Sequence, residues 1–438
     1  MVKLWSSSVE GKSHHSSTMG VWRGKMSKRR SLWAAGIMSL LFLFFLSWAT
    51  IANLGDRVYN DYLKGDLCQM LPSPSPHPKG YSSHSAPPSK QNTSFPNHVP
   101  IPILPPIRNY TDAELSTFVL AKDILSRAKD PVGNAKVAFM FLTGGPLPFE
   151  KIWEEFFKQG HEGKYLIYVH SSREQPARNT SMFQGRDIRP QKVFWGRIEM
   201  VDAERRLLAN ALLDLDNQYF ALLSDSCIPL YPFDYVYEYL LGGNMSYVDC
   251  FEDPGPHGQG RYMDQMMPEV RRSDWRKGAQ WFAVTRYHAL MIVADHLYYS
   301  KFKLNCKPGP ENRNCYPDEH YISTFLHIMN PANLANWTVT YVDWSERRWH
   351  PKTYTKNDIT FERLQLIQNI KEHVHETSDS LGIRTVKPCL WGGQQRPCFL
   401  FARKFLPDTA GDLLQLLSNV TWPLSRHQQE RSSATFRF

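Results

Sequence analysis

Three runs constrain the fold more than any other feature, because each is apolar at every position rather than at every second one. They are Val137-Ala138-Phe139-Met140-Phe141-Leu142, Tyr165-Leu166-Ile167-Tyr168-Val169 and Tyr219-Phe220-Ala221-Leu222-Leu223, all of strand length. A strand apolar on both sides needs cover on both faces, as in a parallel sheet lined by helices. The intervening chain supplies such helices. Residues 149–159 place Ile152, Phe156 and Phe157 on one side and stop at Gly160, and residues 203–215 form a second helical segment. Strand, helix, strand at this spacing predicts an α/β fold with a doubly wound sheet, whose ligands lie beyond the carboxyl ends of the strands. Those ends are Thr143-Gly144-Gly145-Pro146, His170-Ser171-Ser172 and Ser224-Asp225-Ser226.

The N-terminal part has a different character. Net charge is +9, but residues 1–31 alone hold seven Lys and Arg against Glu10, leaving only +3 for the other 407 residues. The basic excess belongs to a short tail, so a nucleic-acid-binding face has little support. The tail abuts an uncharged run from Ser31 to Gly55 centred on Leu40-Leu41-Phe42-Leu43-Phe44-Phe45-Leu46. That run is long enough to span a bilayer and too long for the apolar region of a cleaved signal. Positive charge before it and Asp56, Asp61 and Asp66 after it orient the N-terminus to the cytosol. The expected organisation is a tail over 1–31, a transmembrane signal-anchor helix over 32–54 and a stem over 55–110. A lumenal domain over 111–425 and a C-terminal tail over 426–438 complete it. Eleven prolines between Pro72 and Pro106 make the stem extended rather than folded. Thr111-Asp112-Ala113-Glu114 reads as the start of the first helix of the domain.

Six glycosylation sequons, at Asn92, Asn109, Asn179, Asn244, Asn336 and Asn419, all follow the anchor. So do all seven cysteines. Cys306/Cys315 and Cys389/Cys398 could each close a short loop, although spacing alone leaves connectivity open.

Several motifs could carry chemistry. Asp214-Leu215-Asp216 has the form of a metal-binding acid pair, but it precedes a strand instead of following one, where a solvated carboxylate is the ordinary reading. No other His/Asp/Glu cluster has metal-ligand spacing, which favours a mechanism without metal or other cofactor. Pro317-Asp318-Glu319 opens an apolar helical segment with Tyr321, Ile322, Phe325, Leu326 and Met329 on its stripe. Acids at such a start are usually structural, yet one carboxylate placed to take a proton is what a displacement by a hydroxyl requires. Asp225 and Glu252 are the next candidates for that role. The apolar strand expected over 397–405 ends in Arg403 and Lys404, cations able to neutralise a departing diphosphate, and Arg384 and Arg396 lie near it in sequence.

Taken together, residues 138–143, 165–170 and 220–230, with Gly278-Ala279-Gln280-Trp281-Phe282, Pro317-Asp318-Glu319 and residues 399–405, resemble the core-2/I-branching β-1,6-N-acetylglucosaminyltransferase family, and within it the plant branch. The resemblance spans roughly residues 130–410. It implies a GT-A-like mixed sheet flanked by helices and metal-independent transfer of a sugar with inversion, N-acetylglucosamine from a UDP-sugar, to a lumenal glycan. Glu319 becomes the general base. Lys404, Arg384, Thr143 and His170 become nucleotide-sugar contacts, and Trp344 and Glu252 acceptor contacts. The setting implied is a Golgi membrane protein of single-pass type II topology, with the bilayer as a partner. A xylosyl- or glucuronosyltransferase of the same fold, or a non-catalytic lumenal glycan binder, are the alternatives.

The charge and sequon distribution predicts that protease added to sealed microsomes removes only the short N-terminal tail, and that glycosidase lowers the mass of the protected part. Digestion of the C-terminus without detergent would reverse the assigned orientation.

Overall fold

The computed structural model describes residues 110–126, 135–158, 163–173, 176–309, 314–348 and 350–419. The basic tail, the expected anchor, the stem up to residue 109, Cys68, Asn92 and Asn109 lie outside the described residues, as do the C-terminal tail and the side chain of Asn419. Among the described residues no helix is long and apolar enough to cross a membrane.

The first helix, α1 (Asp112–Ser126), begins at a reciprocal capping box. Thr111 Oγ1 accepts the Glu114 N–H at 3.2 Å, and Glu114 Oε2 accepts the Thr111 N–H at 2.9 Å. Then follow β1 (Lys136–Thr143), α2 (Glu150–Lys158), β2 (Tyr165–Ser171), α3 (Ile198–Leu212) and β3 (Asn217–Ser224). Helix α3 starts earlier than the 203–215 expected from the pattern, because the turn at Gly196 (φ +72°) releases the chain into it directly. The central region continues with β4 (Ile228–Pro229), α4 (Phe233–Leu241), β5 (Ser246–Asp249), β6 (Ala283–Thr285), α5 (Arg286–Ala294), α6 (Leu297–Asn305) and α7 (Tyr321–Met329). The C-terminal part holds β7 (Leu334–Asn336), β8 (Thr340–Val342), α8 (Phe361–Gln368), β9 (Glu372–Glu376) and β10 (Arg384–Pro388). It closes with β11 (Leu390–Trp391), β12 (Gln394–Gln395), β13 (Phe401–Arg403) and α9 (Ala410–Asn419).

The main sheet has the order β2-β1-β3-β6-β5-β7. Strand β1 is parallel to both β2 and β3, β6 is antiparallel to β3 and β5, and β5 is parallel to β7, so the sheet is mixed. The continuous apolarity of β1 follows from its two covered faces. Val137, Phe139 and Phe141 enter one core, with Ile152, Trp153, Phe156 and Phe157 of α2. Ala138, Met140 and Leu142 enter the other, with Val201, Leu207, Leu208 and Ala211 of α3. Each fully buried aromatic here stabilises by roughly 1.5–3 kcal/mol, and edge-to-face contacts such as Phe139–Phe157 (5.0 Å) and Phe141–Trp153 (5.1 Å) fix the packing angle of α2. A smaller sheet, β4-β13-β8, is built against the first core. Two disulfides, Cys306–Cys315 and Cys389–Cys398, close the two short loops that the spacing allowed, while Cys227 and Cys250 are buried thiols.

Between the main sheet and α7, Gly278 is pressed against other backbone. A Cβ there would lie 1.8 Å from the Asp249 carbonyl oxygen and 2.4 Å from Ser323 Oγ. Gly278→Ala should therefore destabilise by about 1–3 kcal/mol or more, whereas Gly144→Ala, with nothing within 4 Å of the new atom, should fall within about 1 kcal/mol of wild type. Thermal unfolding of the two variants checks this, and equal melting temperatures would refute the close approach.

Candidate active site

The chain builds outward from β1 in both directions, β2 on one side and β3 on the other, so a crevice opens where their carboxyl ends part. Thr143 ends β1, but its hydroxyl is engaged locally: Oγ1 donates to the Pro146 carbonyl at 2.8 Å and accepts from the Gly145 N–H at 3.0 Å. His170, near the end of β2, is fully buried, with Nε2 3.1 Å from Arg206 Nη1. Arg206, which also pairs with Asp112 of α1, can only donate. Nε2 of His170 is therefore the acceptor, and Nδ1 is left buried without a partner among the described residues. Burial and the Arg206 charge push this imidazole down to about 4.

The carboxyl end of β3 meets the smaller sheet. The Phe405 N–H donates to the Ser226 carbonyl at 3.2 Å, which brings Arg403 and Lys404 beside Ser224-Asp225-Ser226. The two cations are used differently. The Arg403 guanidinium lies 4.4 Å from the centroid of the Trp281 ring, with Nε buried. The Lys404 ammonium makes no ion pair among the described residues, and its carbonyl accepts the Tyr354 N–H at 2.7 Å. Strand β13 runs parallel to β8 with Arg403 opposite Val342, so the loop that follows β8 leaves beside Lys404. Trp344 stands in that loop and is 52% exposed, hence not packed into the core. Asp343 beneath it is buried, accepting from Tyr354 Oη at 2.8 Å.

Glu319 lies in a short 3-10 turn (Pro317–Glu319) rather than on the following helix, which begins only at Tyr321 because His320 (φ −130°, ψ −35°) breaks the spiral. Arg261 Nη1 donates to Glu319 Oε2 at 2.5 Å, and the Glu319 side chain is 31% exposed. The same guanidinium faces Nε2 of buried His320 at 3.3 Å, while Nδ1 of His320 meets the Arg276 carbonyl at 2.8 Å. A carbonyl only accepts, so the proton is on Nδ1 and this imidazole is neutral, pushed down to about 3 by burial and Arg261. Sequence reasoning missed Arg261, which ends a glycine-rich loop with no periodic signal.

The segment 278–281 connects the two halves. Gly278 N–H donates to the Glu319 carbonyl at 2.9 Å, Ala279 N–H to Asp249 Oδ2 at 2.9 Å, and Gln280 Nε2 to Glu204 Oε1 at 2.9 Å. Trp281 then lies under Arg403. Three residue steps span at most about 10 Å, which sets the separation of the carboxylate arm from the cationic arm.

Two further carboxyls lie behind Glu319 and were also missed. Glu204 on α3 is fully buried, and neither its Oε2 nor the buried Oδ1 of Asp318 has a hydrogen-bond partner among the described residues. Burial first, and then the neighbouring acids, raise both: Asp318 to about 7, and Glu204 well above the ordinary carboxyl range. Burial of Asp318 and Glu204 thus favours their neutral forms.

The remaining predicted residues lie on other elements. Glu252 is exposed, accepts from Gln259 Nε2 at 2.9 Å, and lines a cavity of about 340 Å³ with Arg276, His327, His375 and Lys387. Arg384 opens β10 in a hairpin with β9, opposite Glu376, and is exposed. The hairpin is held by His375 on Asp249 (2.8 Å) and by Ser378 on Asp253 (2.8 Å). Asp214 and Asp216 form ion pairs with Lys136 at 2.9 and 3.3 Å, at the amino ends of β1 and β3 and so at the opposite end of the sheet from Asp225. The described sequon asparagines, Asn179, Asn244 and Asn336, are all exposed.

A strand-order reversal, with a partly exposed carboxylate in the Pro317–Glu319 turn and, at the β13 end, a cation that makes no ion pair among the described residues, suits binding an anionic leaving group while a proton is moved. Residues 137–368 match the Core-2/I-Branching enzyme family, and the chain belongs to it. It is also 36% identical over 329 residues to Glycosyltransferase BC10 of Oryza sativa subsp. japonica, an alignment covering 68% of this chain and 80% of that protein. The chain is accordingly a glycosyltransferase, which takes a sugar donor and a glycan acceptor.

The Asp318 carboxyl gives a pH signature. Its ordinary value is 3.8 and the folded protein holds the proton to about 7. Between those values the folded state binds more protons, so this contribution is complete below about pH 4 and is lost as pH rises through about 7. Asp318→Asn should flatten the fall in stability from pH 4 to 7, followed by denaturant midpoints across that range. An unchanged slope would assign the bound proton to another group.

Proposed function

We propose that the enzyme transfers N-acetylglucosamine from UDP-N-acetylglucosamine to a hydroxyl of a lumenal glycan, with inversion and without a metal ion. Glu319 takes the proton of the acceptor hydroxyl as its oxygen attacks the anomeric carbon, and the bond to UDP breaks with the electron pair leaving on the diphosphate. Lys404, with Arg384, neutralises that charge. Trp344 and Glu252 hold the acceptor sugar, and Thr143 and His170 border the donor crevice. The observation that carries the reading is the partly exposed Glu319 carboxylate, fixed by Arg261 and tied through residues 278–281 to the strand end that presents Lys404, whose ammonium makes no ion pair among the described residues. We place the domain over 111–425 in the Golgi lumen behind an anchor over 32–54 and a stem over 55–110, a reading supported by the exposed sequons and the two disulfides.

Two variants assayed in EDTA separate the roles. Glu319→Gln keeps shape but cannot take a proton, and should lower turnover by about 10²–10⁴ with donor affinity nearly intact. Lys404→Ala should weaken UDP binding and lower the rate together. Near-normal turnover of Glu319→Gln would move the base elsewhere, and turnover that requires added manganese would remove the role given to Lys404.

A further inference from the structure

The loop between β2 and α3 presents Trp195 to solvent at 62% exposure, an unusual position for the largest apolar side chain. The loop holds it in a defined place. Gly196 has φ +72°, and a Cβ there would lie 2.8 Å from the Tyr316 ring, so the backbone is seated directly on that ring. The Trp195 ring stands 5.1 Å from Tyr316, and Tyr316 in turn lies under the Arg261 guanidinium (4.7 Å) that grips Glu319. The Trp195 ring is also 5.8 Å from His350, in the loop that carries Trp344 and contacts Lys404 through Tyr354. Trp195 thus stands between Tyr316, which packs on Arg261, and His350, in the loop that follows β8, with much of its ring uncovered.

We infer that Trp195 is a sugar-binding residue, whose exposed face packs against the C–H face of a pyranose ring at the point of transfer. An aromatic face supplies the apolar contact such a ring offers while leaving its hydroxyls to polar partners. The inference rests on the proposed location of the reaction at Glu319. The pyranose can come from the donor or from the acceptor, and both present the same chemistry to the ring.

The test uses the full-length chain in detergent, with three probes: UDP alone, UDP-N-acetylglucosamine, and an array of immobilised oligosaccharides ending in different pyranoses. Trp195→Ala should leave the melting temperature and UDP affinity unchanged, since the side chain is mostly exposed and its ring contacts are with Tyr316 and His350 rather than with the cations of β13. It should weaken one pyranose-bearing probe about tenfold or more, and Trp195→Phe should restore most of that loss. Loss confined to UDP-N-acetylglucosamine assigns the donor ring, and loss confined to array glycans assigns the acceptor ring. A wild type that ignores UDP-N-acetylglucosamine but keeps Trp195-dependent glycan binding would defeat the proposed donor and uphold this inference. Unchanged affinity of Trp195→Ala for every probe, an equal loss for UDP alone, or a wild type that binds no pyranose at all would overturn it.

Discussion

The close approach of Gly278 to its neighbours sets the geometry on which the site depends. The backbone at this position donates to the Glu319 carbonyl while lying against the Asp249 carbonyl, a spacing no side chain permits. Residues 279–281 then continue without slack, each held by a named partner, until the chain enters β6. The Phe282 carbonyl accepts the Leu222 N–H at 2.9 Å, so the segment is registered on β3, whose carboxyl end is the floor of the crevice. The carboxylate turn and the sheet are therefore joined through one short stretch of main chain, and the Trp281 ring carries the link on to the cationic strand end. That arrangement suits a reaction in which small displacements of the reacting groups cost rate.

The electrostatics follow from where charge is balanced and where it is not. Arg261 is buried and pairs with a partly exposed acid, so its charge needs Glu319 as much as Glu319 needs its orientation. His320 adds no positive charge, because it accepts from Arg261 on one nitrogen and gives its proton to a carbonyl on the other. Behind them, the raised values of Asp318 and Glu204 favour their neutral forms and limit further negative charge next to Glu319. The result is a partly exposed Glu319 carboxylate with a fixed cation on one oxygen.

The parts of this arrangement that follow local rules were legible in the sequence. Continuous apolarity at 137–142 and 219–223 reported strands covered on both faces, and Thr111 with Glu114 reported a capping box that the coordinates reproduce. What was not legible depends on distant partners. Glu204 reads as an ordinary helix acid until Gln280 and Asp318 are folded against it. The β9–β10 hairpin escaped notice because β10 is exposed at every position, which leaves no alternation to detect. Glu319 read as the first turn of a helix, since Pro317 and two acids satisfy every rule for one; only the backbone of His320 separates the turn from the helix. Trp195 had no signal at all, for an exposed tryptophan in a loop has no periodic context.

The contrast between Arg403 and Lys404 shows how adjacent like charges acquire different uses. Arg403 ends β13 and turns onto the indole of Trp281, near Asp225, so its charge already has partners within the protein. Lys404 lies one residue beyond the ladder, where its carbonyl is bound to Tyr354 but its ammonium is uncommitted among the described residues. A guanidinium held over a ring is a poor mobile counter-ion, and it serves better to hold Trp281 and the segment behind it. An ammonium on a flexible stem can follow an oxygen whose charge grows as a bond breaks. The strand end thus commits one of its two cations and not the other, and the difference follows from which of them Trp281 occupies.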